Sequence, residues 1–138
     1  MRRNLIAFAA LFAFAVPAAA GDAEVKAAQG SIESQLKAFQ ADDFAGAYSF
    51  AAPNVKTIFP TVDIFMGMVT NGYAPVRKPQ NFSFGKSEEK SGTQIWQQVY
   101  VVGPDGKDYE ALYTLELQPD GVWRITGVSL RAANSLST

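Results

Sequence analysis

Two residue types that carry much of protein chemistry are missing from this sequence, which has no histidine and no cysteine. Without them, the Ser-His-Asp and Cys-His forms of nucleophilic catalysis are impossible. The usual structural zinc sites and the histidine-containing catalytic zinc sites are excluded for the same reason. The chain also has no disulfide bond. Any chemistry must use Asp, Glu, Tyr, Lys or Arg side chains, and the composition predicts neither a metal site nor a cofactor.

The sequence also lacks an excess of charge of either sign. Its 12 basic and 13 acidic residues give a net charge of −1. A nucleic-acid-binding surface usually shows as a basic stripe, so nucleic acid is not an expected partner. Asp105, Asp108 and Glu110 offer clustered carboxylates, but an EF-hand loop needs more oxygen ligands at other spacings.

A long apolar run lies at the N-terminus, where "MRR" precedes "NLIAFAALFAFAV". This run is shorter than the roughly 20 residues that span a membrane. Ala18 and Ala20 follow it as the small residues of an A-x-A cleavage site. We therefore expect a secretory signal peptide over residues 1–20, cleaved between Ala20 and Gly21. The remaining residues, 21–138, then form one domain that is periplasmic or secreted and has no stable membrane anchor.

Apolar residues recur at helical spacing three times in the first half of the chain. The first pattern predicts a helix over residues 23–41, and the second a short helix over residues 44–51, stopped by Pro53. The third predicts a helix with Thr61 as N-cap and a left-handed end at Asn71–Gly72. The apolar face predicted for this third helix consists of Ile64, Phe65, Met68 and Val69.

Two adjacent acids, Asp42 and Asp43, lie between the first two helical patterns. An Asp at the N-cap accepts hydrogen bonds from the backbone of the first turn. An Asp within that turn interacts favourably with the positive end of the helix dipole. We predict that Asp42 caps the second helix and that Asp43 lies in its first turn. These two roles are favoured over a catalytic carboxylate pair.

The second half of the chain alternates with a period of two, which predicts four strands. The first begins at Asn81, and the others are "TQIWQQVYVV", "DYEALYTLEL" and "VWRITGVSL". The last three are joined by "GPDGK" and "QPDGV", whose Pro-Asp-Gly sequences are typical of short hairpin loops. The first loop places Gly103 opposite Lys107. The second places Glu116 opposite Arg124.

These two registers divide the strand residues between two faces. The register of the last hairpin also pairs Thr114 with Thr126 and places Gly127 opposite Tyr113. Odd-numbered positions form an apolar face that the helices must cover, made of Ile95, Val99, Val101, Tyr109, Ala111, Tyr113, Leu115, Leu117, Trp123 and Ile125. Even-numbered positions form a mixed face that suits a contact surface, made of Trp96, Gln98, Tyr100, Glu110, Leu112, Glu116, Arg124, Val128 and Leu130.

The segments "AFQADDFAGAYSFAAP" and "FPTVDIFMGMVTNGYAPV" resemble a bacterial family called domain of unknown function 4864, within the nuclear transport factor 2-like superfamily. The resemblance covers roughly residues 25–131 and rests on the spacing of Phe44, Tyr48, Pro53, Phe59, Pro60, Thr61, Phe65, Gly72 and Tyr73. It implies an α+β fold in which three N-terminal helices pack on a curved antiparallel sheet of about four strands. Members of this superfamily form a cone around an apolar cavity.

Such a cavity implies that the domain binds a small apolar or amphipathic ligand, or a protein partner, without catalysis. The candidate cavity residues are Tyr48, Phe65, Met68, Tyr109, Tyr113 and Trp123. The alternative is a cofactor-free isomerase or dehydratase, which in this superfamily uses an Asp or His in the cavity, often with a Tyr. Because the odd-numbered face of the last three strands carries no acid, the binding function is favoured.

The resemblance also implies a third function, self-association. Superfamily members often form homodimers through the sheet face that is turned away from the helices. In this sequence the candidate interface residues on that face are Trp96, Tyr100, Leu112, Val128 and Leu130.

Overall fold

The computed structural model describes the backbone of residues 3–133 and the side chains of residues 21–133. In this part of the chain five helices precede four strands: α1 (Arg3–Gln40), α2 (Phe44–Ser49), α3 (Pro53–Ile58), α4 (Val62–Gly72), α5 (Ala74–Arg77), β1 (Asn81–Ser91), β2 (Gln94–Val102), β3 (Asp108–Leu117) and β4 (Trp123–Ala132). The strands form one antiparallel sheet in chain order. The predicted α+β class is confirmed, with five helices in place of three.

The side chains of the predicted signal peptide, residues 1–20, lie outside the described part of the chain. Gly21, which follows the predicted cleavage point, lies within α1. Among the described residues no helix has the length and apolarity that crossing a membrane requires.

Helix α1 contains the predicted 23–41 helix almost entirely and packs one face against the sheet. Ala28, Ile32 and Leu36, spaced four residues apart, are fully buried, as expected for neighbours on one helix face. They belong to one core cluster with most of the predicted apolar sheet face, namely Ile95, Val99, Val101, Ala111, Tyr113, Leu115, Trp123 and Ile125. The sheet therefore has one face covered by helices, as predicted.

Asp42 ends the first helix and does not cap the second. Its φ of 58° is left-handed, and the backbone N–H groups of Asp42 and Asp43 donate to the carbonyl oxygens of Phe39 (3.1 Å) and Ala38 (2.8 Å). This is a Schellman ending. Asp43 is the N-cap of α2, because its Oδ1 accepts from the backbone N–H of Gly46 at 3.0 Å. The predicted roles are wrong by one residue because an Asp tolerates the left-handed conformation.

The segment after α2 contains more helix than predicted. Pro53 is the first residue of α3, a position that suits proline because its missing N–H would have no partner there. Thr61 caps α4 as predicted, its hydroxyl accepting from the N–H of Ile64 at 3.1 Å. The predicted left-handed end at Gly72 is wrong, because α4 is capped at Tyr73 with φ −136° and α5 follows directly.

The buried face of α4 is rotated from the predicted one. Phe65, Met66 and Val69 are buried, whereas Ile64 is 49% exposed and Met68 is half-buried. Ile64 and Met66 flank Phe65 on opposite sides of the helix, so the apolar pattern alone allows either of them on the inner face. The cluster that α4 forms with Phe39 of α1 places Met66 inside.

The register of the β2–β3 hairpin agrees with the prediction along its whole length. The N–H of Gly103 donates to the carbonyl oxygen of Lys107 at 2.9 Å, and Tyr100 lies opposite Glu110. Gly106 in this loop has a φ of 78°, the left-handed conformation that the Pro-Asp-Gly sequence predicts.

The β3–β4 hairpin follows its predicted register only up to a bulge. Glu116 lies opposite Arg124, as predicted, but the register then shifts and Thr114 lies opposite Gly127. Thr126 is therefore the extra residue of a β-bulge. The predicted pairing of Thr114 with Thr126 is wrong, although their hydroxyl oxygens are 2.7 Å apart and hydrogen-bonded.

The bulge changes which face the last residues of β4 occupy. Val128 lies opposite Tyr113, where the sequence predicts Gly127, and Leu130 lies opposite Ala111. Directly opposed residues share a sheet face, and Tyr113 and Ala111 are buried under the helices. Val128 and Leu130 pack against that same core. Their predicted placement on the open face is wrong.

Candidate functional site

A cavity of about 270 Å³ lies between the helices and the covered face of the sheet. Helix α3 contributes Val55 and Ile58 to its wall, and α4 contributes Phe65 and Met68. On the sheet side Val128 and its neighbours line it. The remaining lining residues are Gln35, Phe39, Ala51, Asn54, Phe59, Val69, Tyr73, Val76, Tyr113, Ile125, Thr126 and Gly127. The lining is thus mainly apolar and comes from both layers of the fold.

Most polar groups in this lining already have partners within the protein. Gln35, Asn54 and Tyr73 each donate a side-chain hydrogen bond to a backbone carbonyl oxygen, at 3.0, 3.1 and 3.2 Å. The hydroxyl of Thr126 is bonded to that of Thr114. Among the described residues no Asp, Glu, Lys or Arg lines the cavity. The lining is therefore uncharged.

Tyr113 is the exception among the polar lining residues. Its side chain is fully buried, and its hydroxyl is the one buried side-chain N or O atom of the described residues that has no hydrogen-bond partner. Leaving such a group unpaired costs about 1–3 kcal/mol. Burial raises the pKa of Tyr113, so the hydroxyl keeps its proton at neutral pH. The Tyr113 hydroxyl is thus an uncharged, buried donor without an acceptor.

The structure brings together three of the six predicted cavity residues. Phe65, Met68 and Tyr113 all line the cavity. No sequence pattern indicated Val55 and Ile58 as lining residues, and the sequence predicted Val128 for the open face of the sheet, yet all three line the cavity. Pro53 was the available sequence signal for α3, which carries Val55 and Ile58, because proline is common at the first helical position.

The other three predicted cavity residues lie outside this lining, and each has a hydrogen-bond partner of its own. The Tyr48 hydroxyl donates at 2.6 Å to a backbone carbonyl oxygen in the α3–α4 connection. The Tyr109 hydroxyl donates to Asp105 at 2.6 Å in the first hairpin loop. The indole N–H of Trp123 donates to Glu24 of α1 at 2.7 Å. These contacts hold elements of the fold together.

The acids singled out as catalytic candidates also lie outside the cavity lining. Asp42 pairs with Lys78 at 2.9 Å and with Arg77 at 3.2 Å. Hydrogen bonds from these two cations, that of Lys78 first, lower the pKa of Asp42 and make it a weaker base. Asp43 caps α2. Among the described residues no group of acids has the arrangement of a metal site.

The open face of the sheet is the second candidate surface. Trp96 and Tyr100 are 38% and 44% exposed there, and Leu112 remains on this face with them. A cleft of about 480 Å³ crosses it, lined partly by charged side chains. Two of these, Glu110 and Arg131, form an ion pair at 2.7 Å. The cleft is larger than the cavity but is more polar, which suits it less to an apolar small molecule.

Comparison with known proteins identifies a family without naming an activity. A family model described as a domain of unknown function (DUF4864) matches residues 21–138. No curated protein matches the chain, and no solved structure matches it. The cavity and the open sheet face are therefore the two features of the structure that indicate a function.

Proposed function

Because the chain belongs to the family described as a domain of unknown function (DUF4864), whose description names no activity, we propose a function from its geometry. The protein is a non-enzymatic domain that binds a small, mainly apolar molecule in the cavity between its helices and its sheet. The observation that carries this proposal is the lining of the cavity, which comes from both layers of the fold, is mainly apolar and includes no charged side chain of the described residues.

The volume of the cavity limits the size of the ligand. Its volume is about 270 Å³, and a water molecule in the liquid occupies about 30 Å³. On that scale the cavity holds a molecule of about nine non-hydrogen atoms. Small-molecule sites are usually apolar with a few polar groups that orient the ligand, and this lining has that composition.

The lining favours binding over the alternative of an isomerase or dehydratase. A general base must lie within hydrogen-bond reach of the proton that it removes. No carboxylate of the described residues lines the cavity, and Asp42 and Asp43 are engaged at helix ends. Tyr113 with a raised pKa keeps its proton and cannot act as a base at neutral pH.

We further propose that the fold is nuclear transport factor 2-like and that the domain is exported. The helices-first order, the antiparallel sheet with its bulges and the cavity between the layers support the first proposal. The N-terminal apolar run and the small residues that end it support the second. The ligand would then be met in the periplasm or outside the cell.

Blocking the cavity from α3 tests the binding function. We expect cumene, an apolar molecule with nine carbon atoms, to bind the wild type, and Val55→Trp to weaken this binding at least about 10-fold. Val55 lines the cavity, and α3 has no buried residue, so the larger side chain can enter without breaking the core. Ligand-observed NMR titration measures the affinity.

The matched control is Thr57→Trp, which adds the same side chain to an exposed position of α3 outside the lining. We expect it to bind cumene like the wild type. Equal binding by the Val55→Trp and wild-type proteins, or no binding by the wild type, would contradict the proposed function.

A second candidate function is self-association through the open sheet face, and the exposure of Trp96 and Tyr100 favours it. Fully burying side chains of this size contributes roughly 1.5–3 kcal/mol each. We expect the wild type to be a dimer at high micromolar concentration and Trp96→Glu to be a folded monomer in sedimentation-velocity ultracentrifugation. The control is Ile64→Glu, at a comparably exposed position on α4 (49%), which should stay dimeric. A wild type that is already monomeric would refute this candidate.

A further inference from the structure

Two opposite charges on the open sheet face have no partner within the described part of the chain. Lys86 of β1 is exposed and lines the cleft that crosses this face. Glu116 of β3 is half-buried and lies opposite Gln94, so it shares the open face with Trp96. Neither charged side chain forms a hydrogen bond or an ion pair with any residue that the structure describes. The open face thus presents a cation and an anion that are both available to another molecule.

The residue expected to neutralise Glu116 is engaged elsewhere. Arg124 lies directly opposite Glu116 on β4. The Arg124 guanidinium, however, binds the Asp120 carboxylate at 3.0 Å and the carbonyl oxygen of Ser49 at 3.1 Å. A half-buried carboxylate has lost part of its hydration, which an ionic partner would replace. Neither carboxylate oxygen of Glu116 is enclosed by the protein, so a cation of a second molecule can reach it.

Trp96 lies between these two charges. The backbone N–H of Lys86 donates to the side chain of Gln98 at 3.2 Å, and Glu116 lies opposite Gln94. Trp96 is midway between Gln98 and Gln94 on β2, and β2 runs between β1 and β3. It lines both the cleft that Lys86 lines and a second hollow, of about 220 Å³, that Glu116 lines. A two-fold axis through Trp96 in the plane of this face would therefore exchange the positions of the two charges.

We infer that a second copy of this chain covers the open sheet face, with Lys86 of each copy bound to the partner subunit's Glu116 and with Trp96 at the two-fold axis. This inference rests on the second candidate function, self-association, and names the residues that determine it. In a two-fold interface one patch meets itself, so each contact occurs twice. A patch with a cation and an anion on either side of a 38% exposed tryptophan is complementary to its own copy. Opposed charges of this kind mainly determine which partner binds.

Reversing the two charges separately and together tests this pairing by sedimentation-velocity ultracentrifugation. We expect Lys86→Glu and Glu116→Lys each to weaken the dimer at least about 10-fold, because each change brings like charges together twice. The double variant has opposite charges again and should dimerise within about 3-fold of the wild type. An equimolar mixture of the two single variants should form a heterodimer for the same reason. Neither rescue would occur if the single variants simply failed to fold.

The matched control is Lys26→Glu, which makes the same change at an exposed position of α1 and should leave the dimer unchanged. If the wild type is a dimer that Lys86→Glu does not weaken, or if the double variant and the mixture associate as weakly as the single variants, this inference is overturned while self-association stands. A wild type that is monomeric at high micromolar concentration would overturn both.

Discussion

Replacing Gln97 by Leu is expected to lower the free energy of unfolding by about 1–3 kcal/mol, the cost of leaving buried polar groups unpaired, since it removes the partner of several part-buried groups. Gln97 is fully buried in the covered sheet face. Its Nε2 donates to the carbonyl oxygens of Gly85 and Lys86, both at 3.2 Å. Its Oε1 accepts from Gln29 of α1 at 3.0 Å and from the hydroxyl of Ser87.

This side chain holds a β-bulge in the first strand. The register between β1 and β2 shifts between Phe84 and Ser87. Two of the three carbonyl oxygens that accept from Gln97, those of Gly85 and Lys86, belong to the residues within that shift, and the third is that of Gln98 at 2.8 Å. A bulge leaves backbone groups outside the regular ladder, and the Gln97 amide replaces the missing strand partner. Leucine has a similar volume but offers no hydrogen bond, so the loss comes from polarity and not from a cavity.

The control for this prediction is Gln94→Leu, because Gln94 begins the same strand and is exposed. Surface changes away from special features usually alter stability by less than about 0.5 kcal/mol. Urea denaturation followed by circular dichroism gives both values on one scale. If Gln97→Leu were as mild as Gln94→Leu, the network would not be a stabilising feature of the sheet.

The parts of the fold that were predictable from sequence are those set by local residues. The two Pro-Asp-Gly loops specify their own turns, and both hairpins begin in the predicted register. The Thr61 cap of α4 is likewise a signal contained in a few residues. In each case the partners lie close in sequence, so no knowledge of the tertiary structure was needed.

The bulge at Thr126 shows why a strict alternation of residues between the two sheet faces does not describe all of β4. The apolar residues Trp123 and Ile125 are odd-numbered, whereas Val128 and Leu130 are even-numbered, so the pattern changes phase between Ile125 and Val128. A glycine at the change is a common companion of a bulge. Extending the register of the hairpin end through Thr126 therefore placed Val128 and Leu130 on the wrong face of the sheet. The phase change was the available signal.

The cavity itself depends on contacts that are distant in sequence. Tyr113 was predicted to face the helices, and it does, but only the assembled layers show that its hydroxyl has no partner. Trp123 was predicted for the same cavity, yet Glu24 of α1 binds its indole N–H. The sequence separation of 99 residues puts such a contact beyond any local pattern. Residue type alone therefore could not distinguish Tyr113, which lines the cavity, from Trp123, which does not.

Replacing Ile32 by Ala is expected to lower the free energy of unfolding by about 2–5 kcal/mol, the range found when a buried Leu, Ile or Met is truncated. Ile32 is fully buried on the inner face of α1. It belongs to the same core cluster as Tyr113 and Trp123, so its side chain helps to fix α1 against the sheet. For a domain of this size such a loss lowers the melting temperature by roughly 3–5 °C per kcal/mol.

The chain offers a control of the same residue type in Ile58 of α3, which is 67% exposed. Ile58→Ala removes the same atoms from a site that is mostly solvated, and we expect a change below about 0.5 kcal/mol in calorimetric melting. The difference between the two variants measures the packing of α1 on the sheet. Equal, small effects would mean that α1 does not pack on this face, and the cavity that depends on its Gln35 and Phe39 would then lose a wall.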